Sequence, residues 1–411
     1  MALKAIGLDQ VKGFGAPVFE VGPLTLVLGA NAAGKTNLCE SVRLLVGLAK
    51  GLSLPEVVDG PAAVGAGDPS WRGLRGGAQE LVRAGASGAS LTLLLVTAGH
   101  EGVYRLKLVP WLGHEVGGVV AEEFLPGGQW VTPAEDQAFV WQLGGRLQPA
   151  GASVDAEWRY RSAMVERGRR AGTEQEQEGD QTANLAYDLL LATRFIEFEP
   201  EALRRPCSPG IEVLGDRGDN LSSVLHLICQ DVGRKQALIE WLRELTPSDV
   251  VDLKFPEDPH TGRILVHLVE ESGAQVSANS ASDGTLRFLG YLALFMGPRR
   301  PKLVMIDELE TGIHPTRIRL LMELLERETA KGDVQVIATT HSPQVLAYAS
   351  PATLEDAVLL HRPEGSEGAT ATKLLDVPGA SETLEHTPIV RLYESGWFED
   401  ALAFAEEGAG A

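Results

Sequence analysis

Nine residues near the start of the chain, Gly29-Ala30-Asn31-Ala32-Ala33-Gly34-Lys35-Thr36-Asn37, contain the spacing G-x-x-x-x-G-K-[ST]. Glycines let the backbone of such a loop curl until its N–H groups point inward onto a phosphate. A helix that begins at the lysine adds its positive N-terminal end. Lys35 would reach the β- and γ-phosphates, and the Thr36 hydroxyl would bind Mg²⁺. The apolar run Pro23–Ala30 before the loop and the helical run Thr36–Leu48 after it give the strand–loop–helix context that this chemistry needs.

Much later, Leu303-Val304-Met305-Ile306 makes an apolar strand that ends in Asp307 and Glu308. An Asp delivered there would complete the Mg²⁺ shell of a nucleotide held by a phosphate loop. Glu308, one residue on, could polarise the attacking water. A single acid would suit a plain solvated strand end, but two after such a run need a reason. His341 follows Val336-Ile337-Ala338-Thr339-Thr340 at the end of the next strand, where it could touch a γ-phosphate. A third feature lies upstream of the acids. The turn Ser282-Asp283-Gly284-Thr285 opens directly into the apolar stretch up to Phe295. A helix start with a hydroxyl and unbonded N–H groups is an anion site, although the chain already has one phosphate cradle.

These residues need elements to hold them. Residues 91–130 alternate as antiparallel strands. Arg169–Thr182 is polar and reads as a mobile or solvated stretch. Leu238, Trp241, Leu242 and Leu245 share one helix face. Strands return from Thr261. Pro315 and Gly332 bracket a helix after the acid pair. Residues 51–90 resist assignment, and the tail after Ser366 reads as irregular apart from Tyr393, Trp397, Phe398 and Phe404. No long heptad run occurs, which excludes an extended coiled-coil arm.

The chain has 411 residues, 44% of them apolar and 22% charged, as in an ordinary globular protein. Its net charge of −20 excludes a chain-wide basic surface for nucleic acid. A local basic stretch exists: Arg159, Arg161, Arg167, Arg169 and Arg170, interleaved with Trp158 and Tyr160. It could contact phosphates and stack on bases, or be a solvated helix face. Cys39, Cys207 and Cys229 have no metal-like spacing and suggest a reducing compartment. With no export signal and no apolar run long enough for a membrane span, the expected address is the cytoplasm.

Taken in order, "GANAAGKTN", "SDGT", "MIDELETGIHP" and "TTHS" resemble the ATP-binding-cassette ATPases of the SMC/RecF type. More narrowly they resemble the short AAA-annotated ATPases related to the OLD and Septu defence ATPases. The resemblance implies an α/β P-loop NTPase fold, an ATP-binding-cassette head with an antiparallel β subdomain and a helical insertion. The expected divisions are 1–135 (N-terminal ATPase lobe), 136–255 (helical insertion), 256–365 (C-terminal ATPase lobe) and 366–411 (tail). It further implies ATP and Mg²⁺ as ligands, with Glu308, His341 and Lys35 catalytic and Thr36 and Asp307 on the metal. Residues 29–37 would cradle the phosphates. In this family the signature turn caps the nucleotide of a second subunit, so Ser282 and Gly284 would close a homodimeric ATP sandwich. The expected output is control of a partner effector, a nuclease or toxin, in antiviral defence. A RecF-like DNA-binding repair ATPase and a weakly active ATP sensor or scaffold are the alternatives. Asp283 and Thr285 stand where transporter ATPases usually carry Gly and Gln, which argues against a transporter motor. Gln129, Gln137 and Gln142 are equal candidates for the family's glutamine loop.

Overall fold

The computed structural model describes residues 2–30, 32–60, 71–109, 118–126, 140–142, 146–148, 174–245, 250–363, 366 and 368–409. The chain forms two compact units. The first joins Met1–Thr193 to Leu354–Ala411, and the second is Arg194–Thr353.

The first unit opens with β1 (Ala2–Asp9), β2 (Val18–Glu20), β3 (Leu24–Leu28) and the helix α1 (Lys35–Ala49). All five residues of β3 are buried, as expected of a strand covered on both faces. The helix α2 (Leu54–Asp59) follows, closed by a capping box between Ser53 and Glu56. The strands β4 (Ala89–Thr97), β5 (His100–Val109) and β6 (Gly118–Pro126) bear out the alternation read from the sequence. β4 and β5 pair from Ala89↔Leu108 to Thr97↔His100 across a two-residue turn. With β7 (Val140–Gln142) and β8 (Arg146–Gln148) they complete a seven-stranded sheet in the order β2-β1-β4-β5-β6-β7-β8. Two strands of this sheet therefore fall inside 136–255, the stretch expected to be helical.

This sheet buries two acids, and each has partners. Glu122 accepts a hydrogen bond from the Tyr104 hydroxyl at 2.9 Å, and burial together with that carboxylate raises the phenol's pKa well above its usual value. Glu123 is paired with Arg105 and Lys107. Of the polar stretch Arg169–Thr182, residues 169–173 lie outside the described residues and the rest begins helix α3 (Glu174–Leu191). Thr182, Ala183, Ala186, Leu189 and Leu190 are buried and Gln181, Asn184 and Asp188 exposed, a helical period that the polar composition concealed.

The second unit starts in β9 (Thr193–Ile196), followed by α4 (Pro200–Leu203), α5 (Leu221–Cys229) and α6 (Val232–Leu245). In α6 the buried residues are Leu238, Trp241, Leu242 and Leu245, the face marked by the spacing. The strands β10 (Val250–Lys254), β11 (His267–Glu270) and β12 (Gln275–Ser277) form an antiparallel sheet of their own. Then come α7 (Asp283–Met296), β13 (Leu303–Ile306), α8 (Pro315–Thr329), β14 (Gln335–Thr339), α9 (Pro343–Ala347) and α10 (Pro351–Glu355). β13 lies between β9 and β14 and runs parallel to β14. Nearly all of α7 is buried. Gly290 lets the Phe198 ring approach to where a Cβ would stand 2.8 Å away, and that ring meets Tyr291 edge-on at 5.1 Å.

The chain then returns to the first unit. β15 (Val358–His361) pairs in parallel with β3, and β16 (Thr370–Lys373) pairs antiparallel with β15. The tail expected to be irregular forms α11 (Ala380–His386), α12 (Ile389–Glu394) and α13 (Trp397–Ala409). Phe398 is fully buried against Trp397, while Phe404 is exposed.

Candidate functional site

In the first unit, β3 leads into the glycine loop and α1 leads out. Gly29 has φ +143°, and a Cβ there would collide with the Leu360 carbonyl at the end of β15. Gly34 has φ +108°, and a Cβ there would stand 3.2 Å from the Phe14 ring. Both positions demand glycine. Ala32 is also left-handed, at φ 68°. The Ala33 N–H bonds the Ala30 carbonyl at 3.1 Å and closes the loop. The ammonium of Lys35, buried, donates to the carbonyls of Gly29 at 2.6 Å and Ala30 at 3.1 Å. It therefore lies back across the loop whose phosphates it is expected to meet. The first turn of α1 has neither a side-chain cap nor an acid, so the helix keeps the positive end that attracts an anion. Thr36 and Asn37 stand in that turn. Asn31 lies outside the described residues.

The acids belong to the second unit. The register Ile306↔Ala338 sets the carboxyl ends of β13 and β14 side by side, so Asp307 and Thr339 face each other. The Thr339 hydroxyl, fully buried, donates to Asp307 Oδ1 at 2.7 Å and accepts the Glu308 N–H at 2.8 Å. The Thr339 carbonyl takes the Leu309 N–H at 2.9 Å. Glu308 adopts φ +53°, a left-handed backbone that costs a non-glycine residue about 1–3 kcal/mol and collects at functional sites. Its exposed carboxylate accepts from the Thr311 hydroxyl at 3.0 Å.

One turn further, Glu310 reaches the segment carrying His341. Its carboxylate accepts from the Thr340 hydroxyl at 2.7 Å and from the His341 N–H at 3.0 Å, and His341 Nδ1 lies 3.0 Å from the same Oε1. Thr339, Thr340 and Glu310 were not singled out in the sequence. The signal for Glu310 was a third acid two residues past Glu308, and for the threonines a hydroxyl pair at a buried strand end.

The signature turn is on the same unit. Ser282 is the N-cap of α7: its hydroxyl accepts the Thr285 N–H at 3.2 Å and lies 2.8 Å from the Thr285 hydroxyl. Asp283 binds Arg204 at 2.5 Å, and the same guanidinium nitrogen donates to the Ala281 carbonyl at 3.0 Å. A Cβ on Gly284 would stand 3.2 Å from Arg317 Nη1 and 3.5 Å from the Gly312 carbonyl. The "SDGT" turn and the "LETGIHP" loop are thus neighbours. His314 caps α8, its Nδ1 accepting the Thr316 N–H at 3.4 Å.

Of the glutamine-loop candidates, Gln129 and Gln137 lie outside the described residues and Gln142 ends β7. The Arg159–Arg170 stretch also lies outside them.

Residues 155–347 match a family model described as "AAA domain, putative AbiEii toxin, Type IV TA system". This span holds the signature turn, the acid pair and His341, and stops short of the glycine loop. Among curated proteins none matches. Among solved structures, an SMC head bound to the C-terminal winged-helix domain of ScpA matches at 12% identity and a TM-score of 0.52, over 91% of this chain and 99% of the other. The chain has the fold of an SMC head domain. The SMC head domain from Thermotoga maritima matches at 12% identity over 91% of this chain and 99% of that one, with a TM-score of 0.44. That from Pyrococcus furiosus, bound to the C-terminal domain of ScpA, matches at 13% over 93% and 99%, with a TM-score of 0.48. The α/β P-loop NTPase fold expected from the sequence holds.

Proposed function

We propose that this head binds MgATP, dimerises around it and hydrolyses it, and that the dimer controls a partner protein. Residues Gly29–Asn37 bind the phosphates and Lys35 exchanges its two carbonyl partners for β/γ-phosphate oxygens. An ammonium has three donors in compact form, which suits that exchange. Thr36 and Asp307 would supply hard oxygen ligands of the kind Mg²⁺ takes. No group of three or more His, Cys, Asp or Glu side chains among the described residues could hold a metal ion by itself. Mg²⁺ would neutralise charge on the phosphates. Glu308 orients the attacking water, and His341 attends the γ-phosphate.

The observation that carries this reading is the treatment of the acid pair. One buried threonine pins both residues, and Glu308 is kept in a backbone conformation that a purely structural strand end has no reason to maintain. Glu308→Gln keeps the shape and removes the base. ATP should still bind and should accumulate on a stabilised dimer, while turnover falls ~10²–10⁴-fold. Near-normal turnover would take Glu308 out of the reaction.

For the output, the SMC heads bound to ScpA domains support a head that passes its state to another protein. The partner we favour is a nuclease or toxin acting in antiviral defence, as the motif resemblance to the OLD and Septu defence ATPases implies. DNA repair of the RecF kind is the rival, and salt-sensitive DNA binding by the purified chain would favour it. A nearly inactive sensor would bind ATP without turnover. No helix among the described residues is long and apolar enough to cross a membrane, and a cytoplasmic setting accords with an odd, sparse set of three cysteines.

A further inference from the structure

We propose that Glu310 is a positioning residue for His341: it fixes the ring's proton on Nδ1 and so leaves Nε2 as the nitrogen that works. The role of His341 in ATP hydrolysis rests on the function proposed above. The effect of Glu310 on the ring does not.

The argument begins with electrostatics at short range. His341 Nδ1 lies 3.0 Å from Glu310 Oε1. A neutral imidazole has one nitrogen that donates and one that accepts. Were Nδ1 the acceptor, its lone pair would confront a carboxylate oxygen at hydrogen-bond distance, which is repulsive. With the proton on Nδ1 the same contact becomes an attraction between the N–H dipole and the carboxylate charge. Free imidazole in a peptide favours the other tautomer, so the carboxylate reverses an intrinsic preference.

The carboxylate is itself held. Its Oε2 accepts from the Thr340 hydroxyl at 2.7 Å, and Oε1 also takes the His341 backbone N–H at 3.0 Å. Thr340 is fully buried and its hydroxyl accepts the Ser342 N–H at 3.0 Å. The Glu310 side chain is 12% exposed and that of His341 is 49% exposed. A largely buried carboxylate thus grips both the main chain and the inner nitrogen of a residue whose ring stands at the surface. Among groups near Glu310, Tyr291 is held neutral by burial, and Arg287 and Glu310 both act on it electrostatically. The outcome is a ring with a fixed orientation and a fixed tautomer, its Nε2 lone pair ready to accept from water or, once protonated, to donate to a phosphate oxygen. Such use of a carboxylate to set a histidine's tautomer is a general device.

The test uses the full chain with ¹⁵N-labelled histidine. The nine histidines are resolved by long-range ¹H–¹⁵N correlation, and His341→Gln identifies the signal. Wild type should show His341 protonated on Nδ1. Glu310→Ala should return it to the Nε2-protonated form, and Glu310→Gln, which retains one acceptor oxygen, should preserve part of the wild-type pattern. An Nε2-protonated His341 in wild type, or the same tautomer with and without the carboxylate, overturns the proposal. This readout is independent of ATP turnover, so it stands even if the chain proves not to be an ATPase. Where turnover is measurable, Glu310→Ala should lower kcat roughly ten- to a hundredfold with KM little changed. Glu310→Gln should recover part of the loss. The Glu310→Ala/His341→Ala pair should be no slower than His341→Ala alone. Additive losses would mean that Glu310 acts by another route, and the positioning role would be wrong.

Discussion

Thr339→Val deletes one hydroxyl and keeps the branched shape. That hydroxyl donates to Asp307 and accepts from the Glu308 N–H, inside a fully buried residue. Valine leaves the N–H without its acceptor and the carboxylate without its donor. An unsatisfied donor costs about 1–3 kcal/mol, and a hydrogen bond to a charged group contributes about 1.5–3 kcal/mol. Because both groups are partly accessible to water, we expect the low end of the combined range, about 2.5–3 kcal/mol. The left-handed Glu308 then loses one of its restraints and should relax. In thermal unfolding this corresponds to roughly 5–10 °C for a unit of this size. The sharper readout is nucleotide binding by calorimetry. With Mg²⁺ the variant should bind ATP more weakly, because Asp307 no longer has a fixed orientation. Without Mg²⁺ the change should be small. Thr339→Ser restores the hydroxyl and should recover Mg²⁺-dependent binding, at some loss of packing. If valine melts with wild type and binds MgATP equally well, the hydroxyl does not organise the acid pair.

Lys35→Ala removes the ammonium now seated on the Gly29 and Ala30 carbonyls, so ATP affinity and turnover should fall together. Unchanged affinity by calorimetry would leave the loop a structural turn. Ser282→Arg places a long cation at the N-cap of α7, so ATP-dependent dimerisation in sedimentation should be lost while nucleotide binding persists. A normal dimer with normal turnover would reduce the "SDGT" turn to a helix start. Asp356 has its carboxyl pKa raised by burial against the opposing pull of Lys373. The folded state therefore holds the proton more tightly than the unfolded chain, and stability is lost as pH rises from the ordinary carboxylate value through the raised one. Asp356→Asn should raise the melting temperature at pH 7, with the gain shrinking toward pH 3. Cys229, pushed up to about 11 by burial, should resist a thiol reagent at pH 8 until the chain is unfolded.

The features that the sequence disclosed are those written in short, local patterns. The glycine loop is legible because only glycine suits Gly29 and Gly34, and β4 and β5 because alternation spans their whole length. The α6 face is legible from four spaced apolar residues. The start of α3 was not legible as a helix because the chain is polar up to Thr182. The tail misled because its first two helices are short and its three helices are separated by Pro388 and Gly396. The supports of the site were least legible. Thr339 matters only because parallel register brings it beside Asp307, and Glu310 only because the strands that precede both segments end together. Such relations are made by pairing across about thirty residues, and neither segment announces them alone.

The pairing of β15 with β3 has a consequence for synthesis. Val27 and Leu28 find their partners at Val358 and Leu359, so the strand that carries the phosphate loop waits for most of the chain to leave the ribosome. The second unit, continuous from Arg194 to Thr353, has no such delay and can fold first, as contiguous units generally do during translation. A nascent chain stalled before Leu354 would hold the signature turn and acid pair on a finished unit, while β3 lacked its β15 partner. On the function proposed above, competence to hold nucleotide would therefore arrive late, with residues 354–409.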